Sequence, residues 1–136
     1  MIQRHHSESQ TEKSILLENI MWSFNGVIYN SPELFEKSLT DYNLKFDNEF
    51  INAQIDIPEI LLLLEYIDEH GNDQELTFYL KPDNGKHFTN VELLYKINNE
   101  VTQKLTDLDK HYFEGLRLLR KSENGKPAVY ALNLGS

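Results

Sequence analysis

Residues 59–80 read EILLLLEYIDEHGNDQELTFYL, and this stretch decides the fold. Its first part contains a continuous apolar run over residues 60–64, as expected for a strand that is buried on both faces. Residues 69–73 read as a loop, and apolar and polar side chains then alternate over residues 75–81. The pattern predicts two strands, residues 59–66 and 75–81, that pair as a β-hairpin.

Negative charge is concentrated in the same part of the chain. The protein has 22 acidic and 13 basic residues, which gives a net charge of −9. Residues 46–80 contain no Lys or Arg, and outside this window 13 acidic residues balance the 13 basic ones. This imbalance disfavours direct nucleic-acid binding, which needs a basic surface, and favours fast association with a basic protein. The nine acidic residues of the window are Asp47, Glu49, Asp56, Glu59, Glu65, Asp68, Glu69, Asp73 and Glu75.

Two helices are predicted on either side of the hairpin. Ser31 is a suitable N-cap and Pro32 a suitable first helical residue, so a short helix should run from there to Tyr42. Thr89 and Glu92 have the spacing of a capping box. Apolar residues then recur at steps of three or four over residues 91–108, which indicates the cleanest amphipathic helix in the chain.

Further strands are predicted from residue type and alternation. Residues 20–29 favour a strand that is turned or bulged at an Asn-Gly pair, although the residues just before it also fit a short helix. Residues 50–57 alternate as a half-buried strand does. Residues 113–120 and 128–134 flank a second Asn-Gly pair, which is the strongest short signal for a β-hairpin.

Together these elements predict an α+β domain. We expect a mostly antiparallel sheet of five to six strands with two main helices packed on one face and the other face partly open. Residues 1–13 are expected to be a flexible tail, in which His5 and His6 are solvated rather than metal ligands, and residues 14–136 a single domain. The chain has no cysteine, no apolar signal segment and no run near the ~18 apolar residues of a membrane span, so a cytoplasmic protein without a membrane partner is expected.

No motif of a phosphate loop, a dinucleotide site, a nucleophile elbow or a two-His metal site is present, so we predict no enzymatic activity, cofactor or metal. His111, which has acidic neighbours, is the best enzyme-like candidate. The alternative hypothesis is therefore a small-ligand-binding or enzymatic site near His111, lined by Trp22, Tyr66, Tyr79 and Tyr112. A structural interpretation competes with it, in which His111 faces the negative end of the preceding helix.

The preferred hypothesis is a non-enzymatic protein-binding module. It would be an acidic immunity or inhibitor protein that occludes a basic partner, such as a bacterial toxin domain, because clustered carboxylates attract and pair with Lys and Arg. A second alternative is a DNA mimic, which needs acidic residues in regular rows on one face. The sequence leaves the oligomeric state open. The predicted partner-binding residues are Asp56, Glu59, Glu65, Tyr66, Asp68, Glu69, Asp73, Glu75 and Tyr79.

Overall fold

The computed structural model describes residues 11–43, 50 and 52–136. Within these residues the chain forms two helices, a mixed sheet of six strands and a separate sheet of two, which confirms the α+β class. The elements are β1 Ile15–Leu16, β2 Trp22–Ser23, α1 Pro32–Tyr42, β3 Gln54–Ile55, β4 Ile60–Ile67, β5 Asp73–Leu80, β6 Phe88–Thr89, α2 Asn90–Leu105, β7 Tyr112–Arg120 and β8 Ala128–Gly135.

The main sheet has the strand order β1-β7-β8-β4-β5, and β2 pairs with the same edge of β7 as β1 does. β4 and β8 run parallel, whereas every other pair in the sheet is antiparallel. The expectation of a mostly antiparallel sheet is therefore confirmed. β3 and β6 pair only with each other.

The β4–β5 hairpin forms as predicted, with eight facing residue pairs from Ile60 opposite Leu80 to Ile67 opposite Asp73. The prediction that β4 is buried on both faces is wrong. Its burial alternates, so that Leu62 and Leu64 are fully buried while the intervening side chains stay partly or largely exposed. The reason is that the two described helices lie on one face of this sheet, and a continuous apolar run in sequence does not reveal this.

Helix α2 begins where the capping-box pattern places it, because the Thr89 hydroxyl accepts a hydrogen bond from the Glu92 N–H at 3.0 Å. The Glu92 carboxylate accepts from the Asp83 N–H at 2.7 Å, which ties the loop after β5 to the first turn of the helix. The apolar side of α2 enters the same core as the buried side chains of β4. Its buried apolar residues are Val91, Leu93, Leu94, Ile97, Val101 and Leu105.

Residues 24–29 do not form the predicted strand, which is limited to Trp22–Ser23. The Asn25-Gly26 pair does not close a hairpin either, although Gly26 has the positive φ of +89° that a turn residue needs. Instead this segment runs along α2, whose side chains bond to the N–H of Gly26, the carbonyl of Val27 and both backbone groups of Tyr29. A neighbouring strand is therefore not required, because buried backbone groups need a partner of some kind rather than a strand.

Two asparagines of α2 make most of these contacts. Asn98 donates to the Val27 carbonyl at 2.9 Å and accepts from the Trp22 indole N–H at 3.0 Å. Asn99 accepts from the Tyr29 N–H at 3.1 Å and donates to the Tyr29 carbonyl at 2.9 Å, as a neighbouring strand would. Asn98 is fully buried, so its amide is a structural element of the core.

Two other predictions need correction. The short helix considered before residue 20 is absent, because Ile15–Leu16 is a strand paired with Leu116 and Arg117 of β7. The strand predicted over residues 50–57 is wrong except at Gln54–Ile55. Its alternating pattern is misleading because Phe50 is helical and the Ala53 carbonyl accepts from the first residue of α2.

The end of the predicted tail packs against the last hairpin. Glu12 accepts from the Ser122 N–H at 2.8 Å, and the Lys13 carbonyl accepts from the Tyr130 hydroxyl at 2.7 Å. Burial raises the pKa of Tyr130 to about 12, so this hydroxyl stays protonated. His5 and His6 lie outside the described residues. Neither described helix combines the length and the apolar character that crossing a membrane requires.

We expect Asn98→Ala to lower the free energy of unfolding by about 1–3 kcal/mol, because it leaves the buried Trp22 indole N–H and Val27 carbonyl without a partner. Urea denaturation followed by Trp22 fluorescence measures the change. Gln103→Ala, on an exposed position of the same helix, is the matched control. Equal stability of the two variants would contradict the structural role of the amide.

Candidate functional site

The register of the main sheet separates a core face from an open face. Side chains of directly facing residues lie on the same side of a sheet, so each strand contributes alternate residues to each face. The core face carries fully buried residues such as Leu62, Leu64 and Tyr130. We call the opposite side the open face, and its residues include Tyr112, Glu114, Arg117, Arg120, Val129, Ala131, Asn133, Gly135, Leu61, Leu63, Glu65, Ile67, Asp73, Glu75, Thr77 and Tyr79.

Charge is distributed unequally across the open face. The β7 side carries Arg117 and Arg120 together with Glu114 nearer the start of the strand. The middle is formed mainly by small and aliphatic side chains of β8 and β4, and the far side carries acidic residues of β4 and β5. The two arginines and the carboxylates of β4 and β5 therefore lie on opposite sides of an apolar centre. Rows of facing residues cross this face from β7 to β5. The first row is Arg120, Val129, Leu61 and Tyr79, and the second is Arg117, Ala131, Leu63 and Thr77. Nearer the hairpin turn, Glu65 faces Glu75 and Ile67 faces Asp73.

Glu65 and Glu75 face each other directly across β4 and β5, and both are exposed. Like charges in this position oppose strand pairing. Asp73 lies two residues before Glu75 on the same side of β5. Among the described Lys and Arg residues, none lies within ion-pair distance of these three carboxylates. Their charges are thus uncompensated within the described chain, and they can attract an external cationic group.

Exposed apolar side chains lie on the same two strands as these carboxylates. Tyr79 is 62% exposed and faces Leu61, and Ile67 is 59% exposed and faces Asp73. Tyrosines beside an apolar surface are common anchors in protein interfaces, because the ring buries area and the hydroxyl finds a polar partner. The acidic side of the open face therefore has the composition of an interaction surface.

The structure brings four of the predicted partner-binding residues together on the open face: Glu65, Asp73, Glu75 and Tyr79. The other five lie elsewhere. Tyr66 faces Gln74 on the opposite side of the sheet and packs against the core. Asp68 and Glu69 lie in the hairpin turn, while Asp56 and Glu59 precede β4. Asp47 and Glu49 of the acidic window lie outside the described residues.

Asp68 shapes the turn between β4 and β5. Its carboxylate accepts hydrogen bonds from the Asn72 N–H at 2.9 Å, the His70 N–H at 2.9 Å and the Gln74 side-chain amide at 3.0 Å. The hydrogen bond from the Asn72 N–H is the main reason that the pKa of Asp68 lies below its usual 3.8. This carboxylate is therefore engaged in fixing the hairpin tip and holds the two strands in register.

His111 lies just beyond the end of α2. Its Nδ1 is 2.6 Å from the Leu108 carbonyl, and its ring lies against that of Tyr112 at 4.5 Å between centroids. Trp22, another residue of the alternative ligand site, is buried and packs edge-on against Phe35. Two open grooves of about 280 and 520 Å³ are lined by neither His111 nor Trp22. The structure thus disperses the residues of this alternative site, since Tyr79 belongs to the open face.

Sequence reasoning missed the other half of the open face. The position of Arg117 on the open face follows from the alternation of β7, once it is known which side of that strand is buried. Arg120 has no local signal, because a bulge between Leu118 and Arg120 returns its side chain to the open face opposite Val129. Leu61 and Leu63 were assigned to a fully buried strand. Register and bulges are long-range properties, so composition could not reveal them.

Comparison with protein-family models, with curated proteins and with solved structures finds no match for this chain. In the parts of the chain that the structure describes, no group of three or more His, Asp or Glu side chains is arranged to hold a metal ion.

We expect the pKa of Asp68 to lie below 3.8 and to rise in Gln74→Ala, which removes one hydrogen-bond donor. A lowered pKa in the folded state means that Asp68 stabilises the fold above pH 3.8 and that this contribution disappears as the pH falls further. Titration of the carboxyl carbon by NMR measures both values. A wild-type pKa above 3.8 would contradict the turn geometry.

Proposed function

We propose that this protein is a non-enzymatic binding module of the immunity or inhibitor type, and that its open face binds a basic protein. One observation carries the proposal. The open face carries Glu65, Asp73 and Glu75 near the hairpin turn and the exposed Tyr79 further along β5, and among the described residues no Lys or Arg lies within ion-pair distance of the three carboxylates. These carboxylates can pair with Lys or Arg of a partner without first breaking an ion pair to a described Lys or Arg of their own chain.

The apolar centre and the charged sides have different tasks in this account. Burial of the stripe formed by Leu61, Leu63 and Val129 supplies affinity, at about 25 cal/mol for each Å² of apolar surface removed from water. The carboxylates accelerate the encounter and select a partner of opposite charge. Tyr79 faces Leu61 at the end of the stripe away from the carboxylates and is the expected anchor residue of the apolar region.

The polarity of the open face also restricts how a partner can dock. A partner surface that covers β5 has to be basic, whereas the part that reaches Arg117 and Arg120 has to be neutral or acidic. A basic substrate-binding cleft, such as that of a toxin nuclease, fits the acidic side, and its occlusion would block the toxin. The apolar centre and the two arginines favour a protein partner over mimicry of duplex DNA, whose phosphates form rows of negative charge alone.

The proposal predicts that Glu75→Lys abolishes partner binding. Charge reversal places a cation where the partner is basic, so we expect the dissociation constant to rise at least about 100-fold, equivalent to roughly 2.7 kcal/mol. A partner recovered by affinity capture from the native source is used for calorimetry at two salt concentrations. The control is Glu100→Lys, which makes the same charge change at an exposed position of α2. Equal losses in both variants, or binding that salt does not weaken, would contradict the proposal.

The same substitution should stabilise the isolated protein. Glu75→Lys replaces a facing pair of like charges by a Glu65–Lys pair, so we expect a gain of about 0.2–1 kcal/mol in the free energy of unfolding. Urea denaturation at low salt measures it, again with Glu100→Lys as the control. A residue that weakens the fold and is needed for binding is the signature of a functional surface. Destabilisation by Glu75→Lys would show that the facing carboxylates do not repel each other.

A further inference from the structure

The two edges of the main sheet differ. The edge of β7 is partly covered by β1 and β2, which pair with residues 116–117 and 112–113. β5 is the last strand on the other side, and its eight residues pair only with β4. Among the described residues, no other strand or backbone hydrogen bond meets the outer edge of β5. Within the part of the chain that the structure describes, this edge therefore presents free backbone groups, which is the standard template for adding another strand.

The hairpin turn fixes which backbone groups point outward. The Asp68 N–H donates to the Asn72 carbonyl at 2.9 Å, so these two residues form a hydrogen-bonded pair. Hydrogen-bonded and non-bonded pairs alternate along an antiparallel ladder. The N–H and C=O groups of Gln74, Leu76, Phe78 and Leu80 are thereby directed at β4. Those of Asp73, Glu75, Thr77 and Tyr79 point away from it, and the side chains of these same four residues lie on the open face.

We propose that the partner adds a basic extended segment as a new strand along the free edge of β5. This inference rests on the proposed function and specifies how the partner binds. The added strand forms backbone hydrogen bonds with the four outward-directed residues of β5, and pockets and charges beside them select its sequence. The sheet is thereby extended beyond β5, and the open face is enlarged by one strand.

The register defines the sequence that fits this edge. Residues of the added strand opposite Asp73 and Glu75 lie on the open face, so Lys or Arg is expected there. The residues of the added strand opposite Leu76 and Phe78 point to the core side, next to these half-buried side chains. Apolar side chains are favoured at those positions. The preferred segment therefore alternates basic and apolar residues over part of its length.

A second copy of this chain is a poorer occupant than a basic segment. Each copy has a net charge of −9, so two copies repel each other at low salt. β5 itself contains Asp73 and Glu75 and no basic residue, and charged side chains on an edge strand are a common protection against self-pairing. The same two carboxylates attract a strand that carries Lys or Arg.

Amide hydrogen exchange with a designed peptide tests this inference. In the free protein, the amides of Asp73, Glu75, Thr77 and Tyr79 should exchange fast and those of Leu76 and Phe78 slowly. The peptide Val-Tyr-Val-Thr-Val-Lys-Thr-Lys, at about ten times its dissociation constant, should slow the outward amides about tenfold. A peptide with both Lys replaced by Glu is the control. Absence of binding, fast exchange of the outward amides in the presence of bound peptide, or equal binding of the Glu peptide would each overturn the inference.

Two variants identify the contacts. Thr77→Pro removes an outward-directed N–H and leaves the hydrogen bonds to β4 intact, so it should abolish peptide binding. The double variant D73K/E75K should reverse the preference and bind the Glu peptide more tightly than the Lys peptide. This charge-swap result does not depend on whether the proline variant folds. Unchanged preference in the double variant would overturn the inference.

Failure of this inference is distinguishable from failure of the proposed function. If Glu75→Lys abolishes partner binding while Thr77→Pro retains both its fold and the partner, the open face binds the partner and the added strand is wrong. If open-face charge reversals leave partner binding intact, the proposed function itself is wrong. Dimerisation of the free protein that protects the same outward amides would overturn the choice of a basic segment as the occupant.

Discussion

Packing of α2 against one face of the main sheet is the interaction on which the rest of the structure depends. The apolar stripe of α2 and the alternate buried residues of β4 form one core, and each such side chain contributes about 1.5–3 kcal/mol on burial. The same helix uses Asn98, Asn99 and Thr102 to hold residues 24–29. One helix thereby organises both the sheet and the irregular segment that leads to α1.

One-sided packing determines the character of the opposite side. Because α2 packs against the core face and not against the open face, the open face can carry side chains that the fold does not need. Some of them even oppose it, since Glu65 and Glu75 face each other with like charge. Local features that cost stability without a structural benefit are typical of functional surfaces. The free edge of β5 belongs to the same pattern, because the other edge of the sheet is covered by two short strands.

Local signals in the sequence predict much of the fold. The hairpin around Gly71, the helix after Thr89 and the hairpin at Asn124-Gly125 all follow from turn chemistry, capping and periodicity within a few residues. Elements whose partners are distant in sequence were not predictable in this way. Backbone groups of residues 26–29 bond to side chains about 70 positions away in sequence. The residue types of this segment favour a strand, but because of these contacts the strand does not form.

The candidate site was predictable to a similar extent. Charge counting located the acidic hairpin, but not the face on which each residue lies. Tyr66 and Tyr79 look equivalent in sequence, yet the register of β4 and β5 places Tyr66 against the core and Tyr79 on the open face. Arg120 reaches the open face only through a bulge in β7. Both distinctions depend on how strands pair, which is decided by the whole sheet.

Methyl relaxation by a neutral, freely diffusing nitroxide tests most directly that one face of the sheet is open. Side chains within reach of solvent lose NMR intensity in its presence, whereas buried ones do not. The structure predicts strong attenuation for the methyl groups of Leu61, Leu63 and Ile67 and little for those of Leu62 and Leu64. Equal protection of both sets in the isolated protein would mean that the open face is covered, and the account would be contradicted.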